Sequence, residues 1–216
     1  MLKNQLKIAV RNLKKHRFFN GINILGLSLA IAISVLLFST ALREFSYDQF
    51  HTNKEELYQL YYKTNRPEGV EFDTPMACPV VPTLKEALPE IKASTRWANG
   101  SAKIEIAGKR HRYNVRYVDA EVFSMFSFPI LKGNQVNPLK ELNSVVINEK
   151  VAATVFGETD PIGQTLKCEL GGKQTDLLVT AVAKQTPSTS SLDFHLLTRF
   201  ENDIYYKEMV LSLIHI

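Results

Sequence analysis

No aspartate or glutamate occurs before Glu44, and between Phe18 and Leu42 there is no charged residue of either sign. That uncharged run, FFNGINILGLSLAIAISVLLFSTAL, would extend roughly 37 Å as a helix, against ~30 Å of hydrocarbon in a bilayer. It is read as a transmembrane helix over residues 18–42. Cysteine occurs twice, at Cys78 and Cys168. Two cysteines exclude a disulfide framework, and their separation leaves open both a single bridge and two free thiols. The five histidines, His16, His51, His111, His195 and His215, include no pair four residues apart and no cysteine or carboxylate at ligand spacing, so no metal site is expected. There is no G-x-S-x-G elbow and no flank that would activate a cysteine. Because triads assemble from distant residues, this lowers the enzyme reading without removing it. No catalytic residue, metal ligand or cofactor site is assigned, and no internal repeat or low-complexity run is present.

The rest of the composition is that of a globular protein, with 45% hydrophobic and 22% charged residues in 216. Its net charge of +4 is unevenly placed. Lys3, Lys7, Arg11, Lys14, Lys15 and Arg17 all precede the apolar run, and without them the chain holds 20 basic against 22 acidic residues. The basicity therefore belongs to residues 1–17, where it suits anionic lipid headgroups, and no nucleic-acid partner is expected. Leu2, Leu6, Val10 and Leu13 recur at helical spacing beside the cations, as in an amphipathic helix lying in a membrane interface. Six cations before the span, against Arg43, Glu44 and Asp48 after it, place the N-terminus in the cytoplasm and the remainder outside. A cleaved signal peptide is the rival reading, helped by Ser39-Thr40-Ala41. Against it, Ile22–Phe38 is longer than the usual apolar core of about 7–15 residues.

Within the span, Gly26, Ala30 and Ser34 lie four residues apart and form a small-residue stripe on which another helix can pack closely in lipid. Beyond it, the sequence predicts a mixed α and β domain. Phe45, Tyr47 and Phe50 suit the headgroup layer, and Thr52-Asn53-Lys54-Glu55 has the spacing of a capping box. Tyr58, Leu60 and Tyr62 alternate as a strand would. "PTLKEALPEI" reads as a helix stopped by Pro89. Ile104 and Ile106 mark a strand, Gly108-Lys109 a hairpin turn, and Tyr113, Val115 and Tyr117 the inner face of the return strand. Arg112, Asn114 and Arg116 fall on its solvent face. Asp119 is placed as the cap of a short helix, "SVVI" as a buried strand, Asn148 as the N-cap of "EKVAATVF" and Gly157 as the residue past its end.

The glycines of "VFGETDPIGQTL" raise the question of a phosphate loop. Such a loop lies between a strand and the N-terminus of a helix. Here the glycines come after a helix and precede the strand "QTLKCEL", so a turn built on Pro161 and Gly163 is expected. Gly171-Gly172 reads as a hairpin turn into "KQTDLLVTAVAK", with "PSTSS" a loop before "LDFHLL".

Four stretches, in this order, resemble a MacB-like or FtsX-like ABC transporter permease of the kind common in Bacteroidetes-type bacteria. They are "LKIAVRNLKKHRFFNGINILGLSLAIA", "FSYDQFHTNKEELYQL", "SVVINEKVAATVFGETDPIGQTL" and "VTAVAKQTPSTSSLDFHLL". The resemblance implies an α+β chain: one N-terminal transmembrane helix, then a MacB-like periplasmic core domain over residues 46–197, in the bacterial inner membrane. It further implies a homodimer or a homologous permease partner, and a cytoplasmic ABC-type ATPase whose motion reaches the outer domain. Residues 198–216 depart from the family pattern, and the later helices are missing, as in a fragment or truncated reading frame. The alternatives are a single-pass extracytoplasmic sensor or adaptor, for which only residues 1–17 would carry signalling, and a membrane-tethered enzyme.

Overall fold

The computed structural model describes residues 2–67, 69–73 and 80–206. The chain divides into two units, Met1–Tyr47 and Asp48–Ile216. In the first, α1 spans Leu2–Lys15 and α2 spans Arg17–Phe45, with His16 outside the helical region at the break. No residue of α2 is buried. Its length and apolar composition are sufficient to cross a membrane. It ends where Ser46 N–H donates to the carbonyl of Arg43 and Tyr47 N–H to that of Glu44, so the helix exceeds the uncharged run at both ends.

The second unit is built on strands β1 (Tyr62–Arg66), β2 (Gly69–Asp73), β3 (Trp97–Ile106), β4 (Lys109–Val118), β5 (Ile130–Gly133), β6 (Ser144–Asn148), β7 (Thr165–Leu170), β8 (Lys173–Ala183) and β9 (Leu196–Arg199). Helices α3 (Val80–Ala87), α4 (Val122–Met125) and α5 (Glu149–Phe156) join them. The strands β8-β6-β9-β4-β3-β7 form a ring, closed because β7 pairs with both β3 and β8. The seam is narrowest at β3 and β7, where only Ala102 with Leu170 and Lys103 with Glu169 are in register. β5 lies outside the ring on β8, and β1 and β2 form a separate hairpin.

Alternation along the strands sorts the core into two clusters. Ile104, Val115, Tyr117, Val145, Ile147, Leu166, Cys168, Leu177, Val179 and Leu196 pack inside the ring. Val118, Val122, Phe128, Leu139, Val146, Ala181, Phe194 and Leu197 pack on its outer side. β6 contributes to both clusters, which explains why all five of its residues are buried and why it reads as a continuous apolar run. β8 also serves both. Up to Val179 its odd-numbered residues face the ring interior, and after Thr180 the even-numbered Val182 does so. The register against β6 jumps from Val179 to Ala181 at that point. An extra residue in one strand reverses which side chains face which side. Thr180 Oγ1 donates to the carbonyls of Pro138 and Val145, which stabilises the bulge. Gly133 lies against it: a Cβ there would sit 2.3 Å from Thr180 O, and its φ of +91° is one that L side chains rarely adopt.

Several local expectations hold. Asn148 Oδ1 accepts Val151 N–H at 2.9 Å at the start of α5, which ends at Gly157. α3 stops before Pro89, although it begins at Val80, two residues ahead of Pro82. The Tyr113, Val115 and Tyr117 face of β4 points inward, with Val115 and Tyr117 buried. Others are corrected. The hairpin turn is Ala107-Gly108, both with positive φ, one residue earlier than expected. Residues 57–61 are not a strand: Tyr58 is 87% exposed and neither alternating face finds a core, so pairing starts only at Tyr62. Residues 54–56 form a single 3-10 turn with no side-chain cap, because Thr52 Oγ1 bonds Ser127 Oγ instead. Asp119 does not cap α4, whose capping position is Glu121, because its carboxylate is taken by Arg96. The unit also continues past Leu197. β9 runs to Arg199 and Phe200 is buried, so residues 198–206 belong to the fold and are not a separate tail.

Replacing Asn148 with alanine removes the α5 cap and also the bond from its Nδ2 to Phe194 O, leaving both backbone partners unsatisfied in a buried place. The expected loss is about 1–3 kcal/mol, read from the denaturant midpoint of the detergent-solubilised chain. A change below a few tenths would show that water replaces these bonds freely.

Candidate functional site

The first set of predicted residues lies on the N-terminal helices. Lys3, Lys7, Arg11, Lys14, Lys15 and Arg17 are all exposed. Asn4, Lys7, Ile8, Arg11 and Lys14 line a shallow groove along α1, so the structure brings the cations Lys7, Arg11 and Lys14 together on one strip. On α2, Gly26, Ala30 and Ser34 are exposed, and nothing lies within 4 Å of a Cβ built on Gly26. Ser34 Oγ donates to Ala30 O at 2.8 Å, which keeps its hydroxyl inside its own helix and the stripe free of an unpaired donor.

The second feature was not legible as a motif. Where the outer unit begins, residues 48–53 are tied down one after another. Asp48 has a φ of +54°. Its N–H donates to Thr189 O at 2.9 Å, and its carboxylate accepts Ser191 N–H at 2.9 Å and the Ser191 hydroxyl. His51 Nδ1 accepts Ser127 N–H at 3.1 Å. Thr52 N–H donates to Ser127 Oγ at 3.0 Å, and Asn53 Nδ2 reaches the carbonyls of Ser124 and Met125. The segment is thus clamped to the loop before β9 and to the turn after α4. The His51 ring is 3% exposed and packs at 4.0 Å from Phe50, 5.2 Å from Phe126 and 5.5 Å from Phe128, centroid to centroid. Burial lowers its pKa from the ordinary value, against the pull of Asp48.

A third cluster fastens the end of the domain. Arg96, with 10% of its side chain exposed, forks onto Asp119 and lies 4.0 Å over the Phe200 ring and 5.1 Å over Tyr206. Burial opposes its charge, but its bonds to Asp119 and Tyr206 outweigh that and hold its pKa above the ordinary value. Glu201 is 3.9 Å away and is shared with Arg199. Each group is satisfied by its neighbours, so the cluster reads as a rivet between β3 and the residues after β9.

These arrangements hold and position. Among the described residues no group of three or more metal-ligating side chains occurs. His195 accepts Asn114 N–H through Nδ1 and His111 is exposed, while His215 and Cys78 lie outside the described residues. Cys168 is a free thiol in the ring interior, its pKa pushed up to about 12, first by burial and then by Asp176. A thiol so protonated is a poor nucleophile. The amides of Gly157 and Gly163 are both used by the fold, bonding Ala153 O and Val179 O. The loop that raised the phosphate question is a helix end succeeded by a turn.

A family model described as the MacB-like periplasmic core domain matches residues 21–210, from within α2 to beyond the Arg96 rivet. The chain belongs to the MacB-like periplasmic core domain family. Its second unit is accordingly an extracytoplasmic domain of the permease type, with α2 as the candidate membrane anchor. Among solved structures, it is similar to a domain assigned to a permease protein of Porphyromonas gingivalis, at 19% identity and a TM-score of 0.47 over 56% of each chain. It is also similar to the periplasmic region of MacB from Actinobacillus actinomycetemcomitans, at 16% identity, a TM-score of 0.39 and 54% of each chain. A third is the extracellular domain of the noncanonic ABC-type transporter YknZ from Gram-positive bacteria, at 15% identity and a TM-score of 0.36 over 50% of this chain and 53% of that one. The chain thus spans about half the length of these solved chains. No curated protein sequence matches it.

Asp48 offers a separable test of the clamp. Asp48→Ala removes the carboxylate and keeps a side chain at a positive φ, whereas Asp48→Gly removes the carboxylate and relieves the backbone. Both are expected to open the loop at residues 187–191 to limited proteolysis, Ala more than Gly. Unchanged cleavage in both would show that Asp48 does not hold that loop.

Proposed function

We propose that the chain is the membrane-anchored, extracytoplasmic part of an ABC-type permease, and that it passes displacement driven by a separate cytoplasmic ATPase to the domain outside. The observation that carries this reading is the continuity of the family match, which enters within α2 and runs through the whole ring to residue 210. The short connection beyond the membrane helix supports it. Only Ser46 and Tyr47 separate α2 from Asp48, where the chain is first bonded into the outer unit. A tether that served only to anchor would tolerate a loose linker.

In this reading α1 lies on the cytoplasmic surface, with Lys3, Lys7, Arg11, Lys14, Lys15 and Arg17 against anionic headgroups, and the ring stands in the periplasm. Gly26, Ala30 and Ser34 face a second copy or a homologous permease, since lipid tails are as apolar as leucine and close backbone approach must supply the contact. The chain supplies structure and coupling, and the chemistry of ATP belongs to its partner. A single-pass sensor or adaptor is the competing role, and partner association through α2 separates the two.

Two measurements test this. A cysteine introduced at Lys54 is expected to react with a membrane-impermeant maleimide applied to the outer face of intact inner-membrane spheroplasts. Labelling that requires lysis would reverse the orientation. Gly26→Leu combined with Ala30→Leu is expected to leave insertion unchanged and to weaken helix association on the order of tenfold, read by energy transfer between differently labelled copies in proteoliposomes. Ile31→Leu with Leu36→Ile should leave the transfer unaltered. If both pairs behave alike, the stripe is composition only.

A further inference from the structure

We infer that the clamp at residues 48–53 is a proton-sensitive latch, held closed by neutral His51 and loosened when that imidazole takes up a proton. The inference rests on the extracytoplasmic reading only for its biological setting, a compartment whose pH tracks the surroundings.

The geometry assigns the tautomer. Nδ1 accepts Ser127 N–H, so it carries no proton, and Nε2 must hold the ring's single one. Nε2 is buried and has no hydrogen-bond partner among the described residues. The ring is therefore already short of one bond while neutral. Adding a proton places it on Nδ1, where it meets the Ser127 N–H as donor against donor. The bond that fixes the ring among the described residues is lost, and the resulting cation sits in a nest of phenyl rings. Ser127 is the shared point: its hydroxyl bonds Thr52 and its N–H bonds His51. A shift there disturbs the whole attachment to the turn after α4.

The groups around the ring decide which way this balance falls. From its own segment come Phe50 and the carboxylate of Asp48, the charged group that acts on it. From the turn after α4 come the Phe126 and Phe128 rings and one backbone N–H. Asp48 favours the cation, but its oxygens are already engaged by Ser191. Burial prevails, and the pKa lies below its ordinary 6.5. The unfolded segment binds the proton near pH 6.5 and the folded one only at lower pH. The contribution of His51 is therefore complete above about 6.5 and is lost as pH falls through the folded value.

The test uses the full chain in nanodiscs, with hydrogen–deuterium exchange measured at pH 7.5, 6.5 and 5.5 and normalised to intrinsic rates. Peptides covering residues 124–128 and 187–193 report the two attachments. In the wild type, their exchange is expected to rise as pH falls below 6.5, by up to about tenfold per unit until the folded pKa is passed. His51→Asn keeps an acceptor oxygen where Nδ1 stood and cannot titrate. It should retain wild-type protection at pH 7.5 and remain flat on acidification. The His51 ring resonance, monitored by NMR, should titrate below pH 6.5. An equal rise in His51→Asn would overturn the inference, since another group would be responsible. So would a His51 that titrates while wild-type exchange stays flat, and this second outcome decides the matter even if the variant fails to fold. None of these readings depends on an ATPase or a cargo, so failure here leaves the permease reading intact.

Discussion

β8 touches both hydrophobic clusters and carries two different neighbours on one edge, β7 along its first half and β5 along its last residues. Strict alternation, as in β6, also serves both clusters, but along β8 it would keep the odd-numbered residues facing the ring throughout. The extra residue at Thr180 exchanges the inward and outward sets partway along. Much else depends on it. Before the bulge, Leu177 and Val179 fill the ring, and after it Ala181 and Ala183 face the outer cluster beneath Phe128 and Phe194. The need for glycine at 133 follows from it, since a Cβ there would meet the carbonyl oxygen of Thr180.

The elements that were readable from sequence are those whose signal is local. Asn148 and Gly157 bracket α5 by cap chemistry alone. The alternation from Tyr113 to Tyr117 needs only a strand with one wet face. The uncharged run predicts α2 because a long stretch of apolar residues with no proline break or charge reads as one continuous helix, long enough to cross a membrane. The elements that escaped depend on partners far along the chain. β5 is four residues long and comes directly after Pro129, with Lys132 and Gly133 inside it, so nothing but its pairing to β8 makes it a strand. Asp119 looks like a cap until Arg96, 23 positions earlier, is brought beside it. The clamp joins residue 48 to residue 191 and residue 51 to residue 127, separations at which no spacing rule operates. Tyr58 and Leu60 show the opposite failure. They carry the pattern of a strand, but the described residues provide neither a neighbour nor a core to receive it.

The two membrane-proximal features divide the work by chemistry. Within lipid, contact between helices must come from shape, and the stripe proposed for it at Gly26, Ala30 and Ser34 keeps its one hydroxyl bonded inside its own helix. At the exit, where water competes for every donor, the attachment uses several directed bonds to two separate places. Multiple bonds of known direction fix residues 48–53 within their own unit, whereas apolar packing alone permits sliding. The nearly buried imidazole is the exception among these groups, since it holds its place with one bond and an otherwise apolar lining.

Closure of the ring has a further consequence, for the life of the domain before assembly. Unpaired strand edges are templates for joining other chains, and they are most dangerous in a compartment crowded with unfolded exports. Here each of the six strands of the ring has a neighbour on both sides, although β3 meets β7 over two residue pairs and β4 meets β9 over four. Among the described strands outside it, β5 is only four residues long, and β1 and β2 have five each with Arg66 and Glu71 paired across them. The edges left by these outlying strands are therefore short or carry charge, which limits the template they offer to another chain.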